Sequence, residues 1–254
     1  MNIDVEIAWL SAVLLLAMRL GPLFVLVPVL GSASIPLHLR TLLGLALAAM
    51  LASANPQWVA LAPIDSGGLI AAAFAEVLLG AAMAFGLMCA FAAFLFGGRL
   101  LDIQIGFGVA TLFDPATRAA SPLLGTALNL MAVAIFFAVD GHHMIIRAGA
   151  ESVVNVPPGQ GLQRLDMATM VAAFGSMFVF GLALVAPAVI TLLLLDVALG
   201  VVARTMPQMN IFIVAMPLKV AVGLGVLALS VPQMGPLLHG IFATLASYWR
   251  ELVN

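Results

Sequence analysis

The apolar positions of this chain do not alternate with polar ones; they come in long blocks separated by short polar or proline-containing segments. About six blocks approach the ~20 residues that a helix rising ~1.5 Å per residue needs to cross a ~30 Å hydrocarbon layer. They cover residues 7–30, 41–63, 69–96, 123–139, 170–199 and 211–231. The pattern predicts an all-α integral membrane protein of about six broken hydrophobic helices, with 1–254 forming one domain. Pro22, Pro28, Pro187 and Pro217 lie in or beside these blocks, and Asn55-Pro56 interrupts the second. A carbonyl freed by proline is costly when it faces lipid, so each break implies cover from a neighbouring helix or a water-filled cavity. Gly80 with Ala84, Gly44 with Ala48, and Gly223 beside Gly225 are small residues that let helix backbones approach.

Three stretches depart from the apolar pattern. Residues 97–122 carry Arg99, Asp102, Gln104, Gly106, Gly108, Asp114, Pro115 and Arg118, too polar for a lipid-facing span, and read as a glycine-rich loop. Residues 140–166 are mixed and contain the turn signal Pro157-Pro158-Gly159. Residues 236–254 alternate at helical spacing and include Tyr248 and Trp249, which predicts an amphipathic, interfacial C-terminal helix.

Composition narrows the function classes. The chain is 64% hydrophobic and 8% charged, with mean hydropathy +1.22, whereas a soluble domain is about a quarter charged. A net charge of -2 provides no basic stripe to neutralise phosphates, so nucleic acid is not an expected partner. No basic residue precedes the first block, so it lacks the positive leading region of a cleaved signal and is expected to be retained. Cys89 is the single cysteine, which excludes an intrachain disulfide, and its apolar block makes it a small buried hydrophobe.

Four charges, Arg19, Glu76, Asp196 and Lys219, fall within the blocks or near their ends. A charge at mid-bilayer costs about 2.5–3.5 kcal/mol even on the lenient insertion scale, so each needs compensation. Snorkelling, an ion pair, a contact with another subunit and a proton path all satisfy that need. Arg19, Lys219 and another chain are candidate partners for Glu76, while Asp196 and Lys219 could meet if the fifth and sixth blocks pack antiparallel. Asp140, His142 and His143 lack metal-ligand spacing, because adjacent histidines point to different sides of a helix, and no metal or cofactor is expected. No nucleophile, base and orienting acid stand at recognisable spacing, and Gly106-Phe107-Gly108 is not a phosphate loop; the chain is not expected to be an enzyme.

Several stretches in chain order resemble the FliR family of flagellar export-gate components, whose virulence-secretion cousins form the SctT family. Pro28-Val29-Leu30-Gly31-Ser32-Ala33-Ser34-Ile35-Pro36 is similar to the family's proline-bracketed turn. Gln104-Ile105-Gly106-Phe107-Gly108-Val109-Ala110-Thr111-Leu112-Phe113-Asp114-Pro115 resembles its glycine-rich loop. Asp140-Gly141-His142-His143 resembles an Asn-Gly-His element with Asp140 replacing the usual Asn. Pro207-Gln208-Met209-Asn210-Ile211-Phe212-Ile213-Val214 with Pro217 resembles the C-terminal signature.

The resemblance implies a subunit of a helical hetero-oligomeric gate in the flagellar basal body at the bacterial inner membrane, built with FliP and FliQ homologues and next to FlhB and FlhA homologues. Unfolded flagellar subunits would be its cargo and lipid its surroundings. It also implies that the loop carrying Gly106, Phe107, Gly108, Leu112, Phe113, Asp114 and Pro115 acts as a plug. The competing readings are a secondary transporter, whose two related halves are not evident in this sequence, and the equivalent injectisome subunit.

Overall fold

The computed structural model describes residues 3–26, 36–61, 66–107, 122–159, 166–206 and 211–253. No strand occurs among them. The helices are α1 (Ile3–Val25), α2 (Leu37–Ala54), α3 (Pro56–Leu61), α4 (Ser66–Ile105), α5 (Leu123–Ala138), α6 (Gly141–Asn155), α7 (Met167–Thr205), α8 (Ile211–Ser230) and α9 (Gly235–Val253). Among the described residues, five spans are long and apolar enough to cross a membrane, or up to six if the broken pair α5 and α6 counts as one. The all-α membrane class expected from the blocks is therefore the observed one.

The blocks and the helices differ at their ends. The second block divides where expected: Asn55 leaves the helical region (φ -134, ψ 77) and Pro56 starts α3. The third does not stop at Phe96. Residues 97–105 are helical, so the start of the loop moves from 97 to Gly106. Gly97 and Gly98 are there for close packing rather than for a turn: a Cβ on Gly97 would lie 2.6 Å from the Gly181 carbonyl oxygen, and one on Gly98 would lie 2.4 Å from the Gly125 Cα. Much of 140–166 is also helical, as α6, which begins after Asp140 in the left-handed region (φ 57). Pro22, Pro187 and Pro217 lie inside α1, α7 and α8, while Pro28 and the turn to Ile35 fall outside the described residues.

The chain forms two compact units interleaved in sequence. The first comprises Met1–Cys89, Phe136–Phe174 and Thr244–Asn254. Its core is Leu15, Leu16, Leu20, Leu79, Met83 and Leu87, all at most 1% exposed. Lipid tails are as apolar as leucine, so this layer holds the helices together through close van der Waals packing. Small residues bring its helices together. A Cβ on Gly80 of α4 would lie 2.1 Å from the Arg19 carbonyl oxygen of α1, and one on Gly149 of α6 would lie 2.7 Å from Leu20 Cδ2. The only buried residues of α2 are Gly44, Ala48 and Ala52, a stripe at four-residue spacing, whereas Leu39, Leu42, Leu43 and Met50 are exposed.

The C-terminal residues Gly235–Val253 form helix α9, whose aromatic residues are docked within the unit instead of being displayed at its surface. Tyr248 Oη donates to the Ala82 carbonyl at 2.7 Å and Trp249 Nε1 to the Met83 carbonyl at 3.0 Å. Gly86 leaves the space for the Tyr248 ring, which a Cβ there would meet at 2.3 Å.

The second unit comprises Ala90–Ile135 and Gly175–Ala243. Its buried layer contains Leu184, Val185, Ala188 and Leu192 of α7 with Phe91, Phe94 and Leu101 of α4. Phe96 and Phe178 meet edge to face with centroids 5.1 Å apart. Gly223 closes on Ile105, whereas Gly225 has open space beside it.

Candidate functional site

The four charges in apolar surroundings resolve into two pairs of different character. Arg19 and Glu76 are both 0% exposed and lie in the first unit. Arg19 Nε donates to Glu76 Oε2 at 2.5 Å and Nη2 to Oε1 at 2.9 Å, a bidentate match of planar fork and carboxylate. The remaining nitrogen, Nη1, donates to the carbonyls of Ser152 at 2.9 Å and Val156 at 2.8 Å, at the C-terminal end of α6 where cations are favoured. Glu76 Oε1 also accepts the Gly159 N–H at 2.7 Å, with Gly159 at φ +91. One ion pair thus joins α1, α4, the end of α6 and the Pro157-Pro158-Gly159 turn. The sequence supplied Arg19 among several candidate partners for Glu76; the carbonyl and amide contacts needed the three-dimensional arrangement.

Lys219 and Asp196 pair at 2.5 Å in the second unit, with side chains 21% and 37% exposed. Exposed Leu193, Leu194 and Val197 of α7 and Met216 and Leu218 of α8 are near them in sequence. This pair is partly open in an apolar field, whereas Arg19–Glu76 is closed.

Asp102 is a site residue that the sequence reading passed over as one polar position among many. It is 4% exposed, and its Oδ1 and Oδ2 accept the backbone N–H groups of Leu124 at 3.0 Å and Gly125 at 3.2 Å. Those amides belong to the first turn of α5, which has no intrahelical acceptors for them, so Asp102 caps a helix whose bonded Leu124 amide lies 22 residues further along the chain. The available signal was an acid near the end of an apolar helix, followed by a later helix opening Pro122-Leu123-Leu124.

Asp102 stands one turn before the glycine-rich segment, and its carbonyl accepts the Gly106 N–H at 3.1 Å. Gly106 has φ +98, a conformation that glycine adopts without penalty, and it ends α4. Phe107 is half-buried. Gly108, Leu112, Phe113, Asp114 and Pro115 lie outside the described residues.

The remaining signature residues divide in the same way. Gly141 is buried, and a Cβ there would lie 2.3 Å from the Phe136 ring. His142 is half-buried, its ring centroid is 5.8 Å from that of Phe137, and its Nδ1 has no hydrogen-bond partner among the described residues. Pro217 lies inside α8 and Phe212 is in its first turn, while Pro207, Gln208 and Asn210 fall outside the described residues. Asp140 in place of Asn keeps the left-handed turn, which both residue types tolerate better than other L-residues do. The histidines do not diverge as the helical spacing suggested: their centroids are 4.1 Å apart, and potential ligand atoms of Asp140, His142 and His143 lie within 4.8 Å of one another. The exposed His143 ring leans onto the half-buried His142. His143 Nδ1 approaches Asp140 Oδ1 at 3.6 Å with both side chains at least 70% exposed, a surface contact of small energetic weight.

Comparison with known proteins matches residues 10–245 to the model of bacterial export proteins, family 1. The flagellar biosynthetic protein FliR of Bacillus subtilis is 31% identical over 95% of this chain and 94% of its own length. FliR of Escherichia coli is 27% identical over 98% and 95%. The Yop proteins translocation protein T of Yersinia pestis is 27% identical over 82% and 81%. With residues 10–245 matched, this chain belongs to family 1 of the bacterial export proteins, the FliR and SctT family.

Proposed function

We propose that this chain is a structural, channel-forming subunit of the flagellar type III export gate in the bacterial inner membrane, passing unfolded flagellar subunits and catalysing no reaction. The whole of 1–254 acts as one gate subunit, assembled with FliP and FliQ homologues and adjacent to FlhB and FlhA homologues. The observation that carries this reading is the family match over residues 10–245. It is supported by the exposed apolar faces of α2, α7 and α8 and by the prolines inside α7 and α8, which call for neighbouring helices.

The glycine-rich segment after Gly106 is the candidate plug. A hydrophobic constriction excludes ions by dewetting yet yields to an arriving polypeptide, as a gate that preserves the membrane potential must. The test combines copurification and leakage. Tagged FliP and FliQ homologues should bring this chain out of membranes as one particle, and Phe113→Gly in assembled basal bodies should raise ion or dye leakage. A chain that is monodisperse and thermally robust alone, and gains nothing from those partners, would contradict the assignment. Similarity to the Yersinia translocation protein favours the injectisome subunit as a second reading, to be decided by whether flagellar or virulence-secretion genes surround this one.

A further inference from the structure

A cavity of about 230 Å³ lies in the first unit between α6 and α9 and plays no part in the reading above. Arg147 and Glu151 reach it from one face of α6 at i, i+4 spacing, and Arg250 reaches it from the last turn of α9. Arg147 and Glu151 are exposed and have no ion-pair partner among the described residues. Their order along the helix, base before acid, is the weaker one for an i, i+4 pair. Arg250 uses only Nε internally, donating to the Ala246 carbonyl at 3.3 Å, so its two terminal nitrogens are uncommitted among the described residues. The rest of the wall is largely apolar: Met144 and Val253 line it, and the indole N–H of Trp249 is already committed to the Met83 carbonyl.

Two guanidinium forks, one carboxylate and an apolar wall define the ligand chemistry. A guanidinium matches the oxygens of a phosphate bidentately, and two of them prefer a phosphodiester to a lone carboxylate. The unpaired Glu151 repels a second negative charge and favours an ammonium group near that phosphate. The apolar wall suits the start of an acyl region. We infer that this cavity is a binding site for the phosphoethanolamine headgroup of a zwitterionic membrane phospholipid, with Arg147 and Arg250 on the phosphate and Glu151 on the ammonium. The inference rests on membrane residence alone and is independent of the export-gate reading.

Native mass spectrometry of the full chain, delipidated in detergent with any copurifying subunits, tests it. The probes are phosphatidylethanolamine, phosphatidylglycerol and inorganic phosphate. Wild-type protein should retain phosphatidylethanolamine in preference to phosphatidylglycerol, and Arg147→Gln with Arg250→Gln should weaken retention about tenfold or more, the loss of roughly 1.4 kcal/mol or more. Glu151→Gln should keep lipid but shift the preference several-fold toward phosphatidylglycerol. That shift identifies the ammonium contact, and it remains measurable if the double arginine variant folds poorly. Equal retention by all variants would overturn the site. So would equal binding of the two lipids by wild type, or displacement of the lipid by millimolar inorganic phosphate, which would mark a soluble-anion site. A cross-link from Arg250→Cys to a protein subunit in place of lipid would show that a partner's acidic side chain fills the cavity and would also overturn the proposal.

Discussion

Asp102, in the last turn of α4, accepts the backbone N–H of Leu124 in the first turn of α5, so one buried carboxylate fixes where the chain may leave and rejoin helix around the glycine-rich segment. The close approach of Gly98 to Gly125 fixes the same junction through backbone contact. Removing a capping carboxylate costs about 0.5–2 kcal/mol, and burial places Asp102 toward the upper part of that range because the freed amides have little access to water. Asp102→Ala should therefore lower thermal stability and speed hydrogen exchange at Leu124 and Gly125. Asp102→Asn, which keeps one acceptor oxygen, should lie between. Unchanged exchange at both amides in the alanine variant would show that the cap contributes nothing.

The two intramembrane ion pairs should respond differently to the same kind of mutation. Removing one partner of a fully buried pair leaves an uncompensated charge and costs about 3–5 kcal/mol, so Glu76→Ala should severely deplete folded protein. Arg19→Met combined with Glu76→Leu removes both charges and should recover much of that loss, although the Ser152 and Val156 carbonyls lose a donor. The half-open Asp196–Lys219 pair lies in an apolar field, so Lys219→Ala leaves Asp196 without its partner at a cost of up to about 2.5–3.5 kcal/mol, eased by the openness of the site. Lys219→Ala should therefore lower the stability of the chain alone by less than Glu76→Ala does. Comparing folded yields of the variants in detergent checks the order, which fails if Lys219→Ala is the more damaging change.

A pH effect is expected at the start of α7. Asp166 accepts the Thr169 hydroxyl at 2.7 Å and the Ala168 N–H at 3.0 Å, and these hydrogen bonds hold its carboxyl below the ordinary carboxylate range. Because the folded-state pKa is the lower one, the cap's contribution is complete above the unfolded value near ~3.9 and is lost as pH falls through the folded value. Hydrogen exchange corrected for its intrinsic pH dependence should show Ala168 and Thr169 losing protection only at pH below about 4. Asp166→Asn should flatten that profile. Loss of protection beginning near neutrality would point to a different group.

How much of this was legible in the sequence depended on whether the information was local. The membrane helices were, because unbroken apolar length is itself the signal, and the break at Asn55-Pro56 was, because proline acts on its neighbour. The boundary at residue 97 was not: the polar residues that follow read as a loop, and only the partners Gly181 and Gly125 reveal the packing role of Gly97 and Gly98. Tyr248 and Trp249 read as interfacial residues by type, yet Gly86 and the carbonyls of Ala82 and Met83 receive them inside the first unit. Intramembrane charges announced that compensation was needed, while the choice of Arg19 for Glu76 and the use of the α6 terminus depend on helix crossings that no spacing rule contains.

The last prediction concerns Gly106, where α4 hands over to the candidate plug. With φ +98 this residue occupies a region in which an L-side chain costs about 1–2 kcal/mol, and a Cβ there would also lie 3.1 Å from Met216 Sδ, tight enough to require a small shift of that flexible side chain. Gly106→Ala should leave the helices intact, because the strain is confined to one junction, while changing the direction in which the following segment departs. In a gate closed by that segment, the expected result is assembled complexes with raised ion or small-dye leakage and normal abundance. Met216→Ala in the same background relieves the steric part alone, so leakage that persists in the double variant assigns the effect to backbone conformation. Assembled Gly106→Ala complexes that remain as tight as wild type would remove the support this junction gives to a plug.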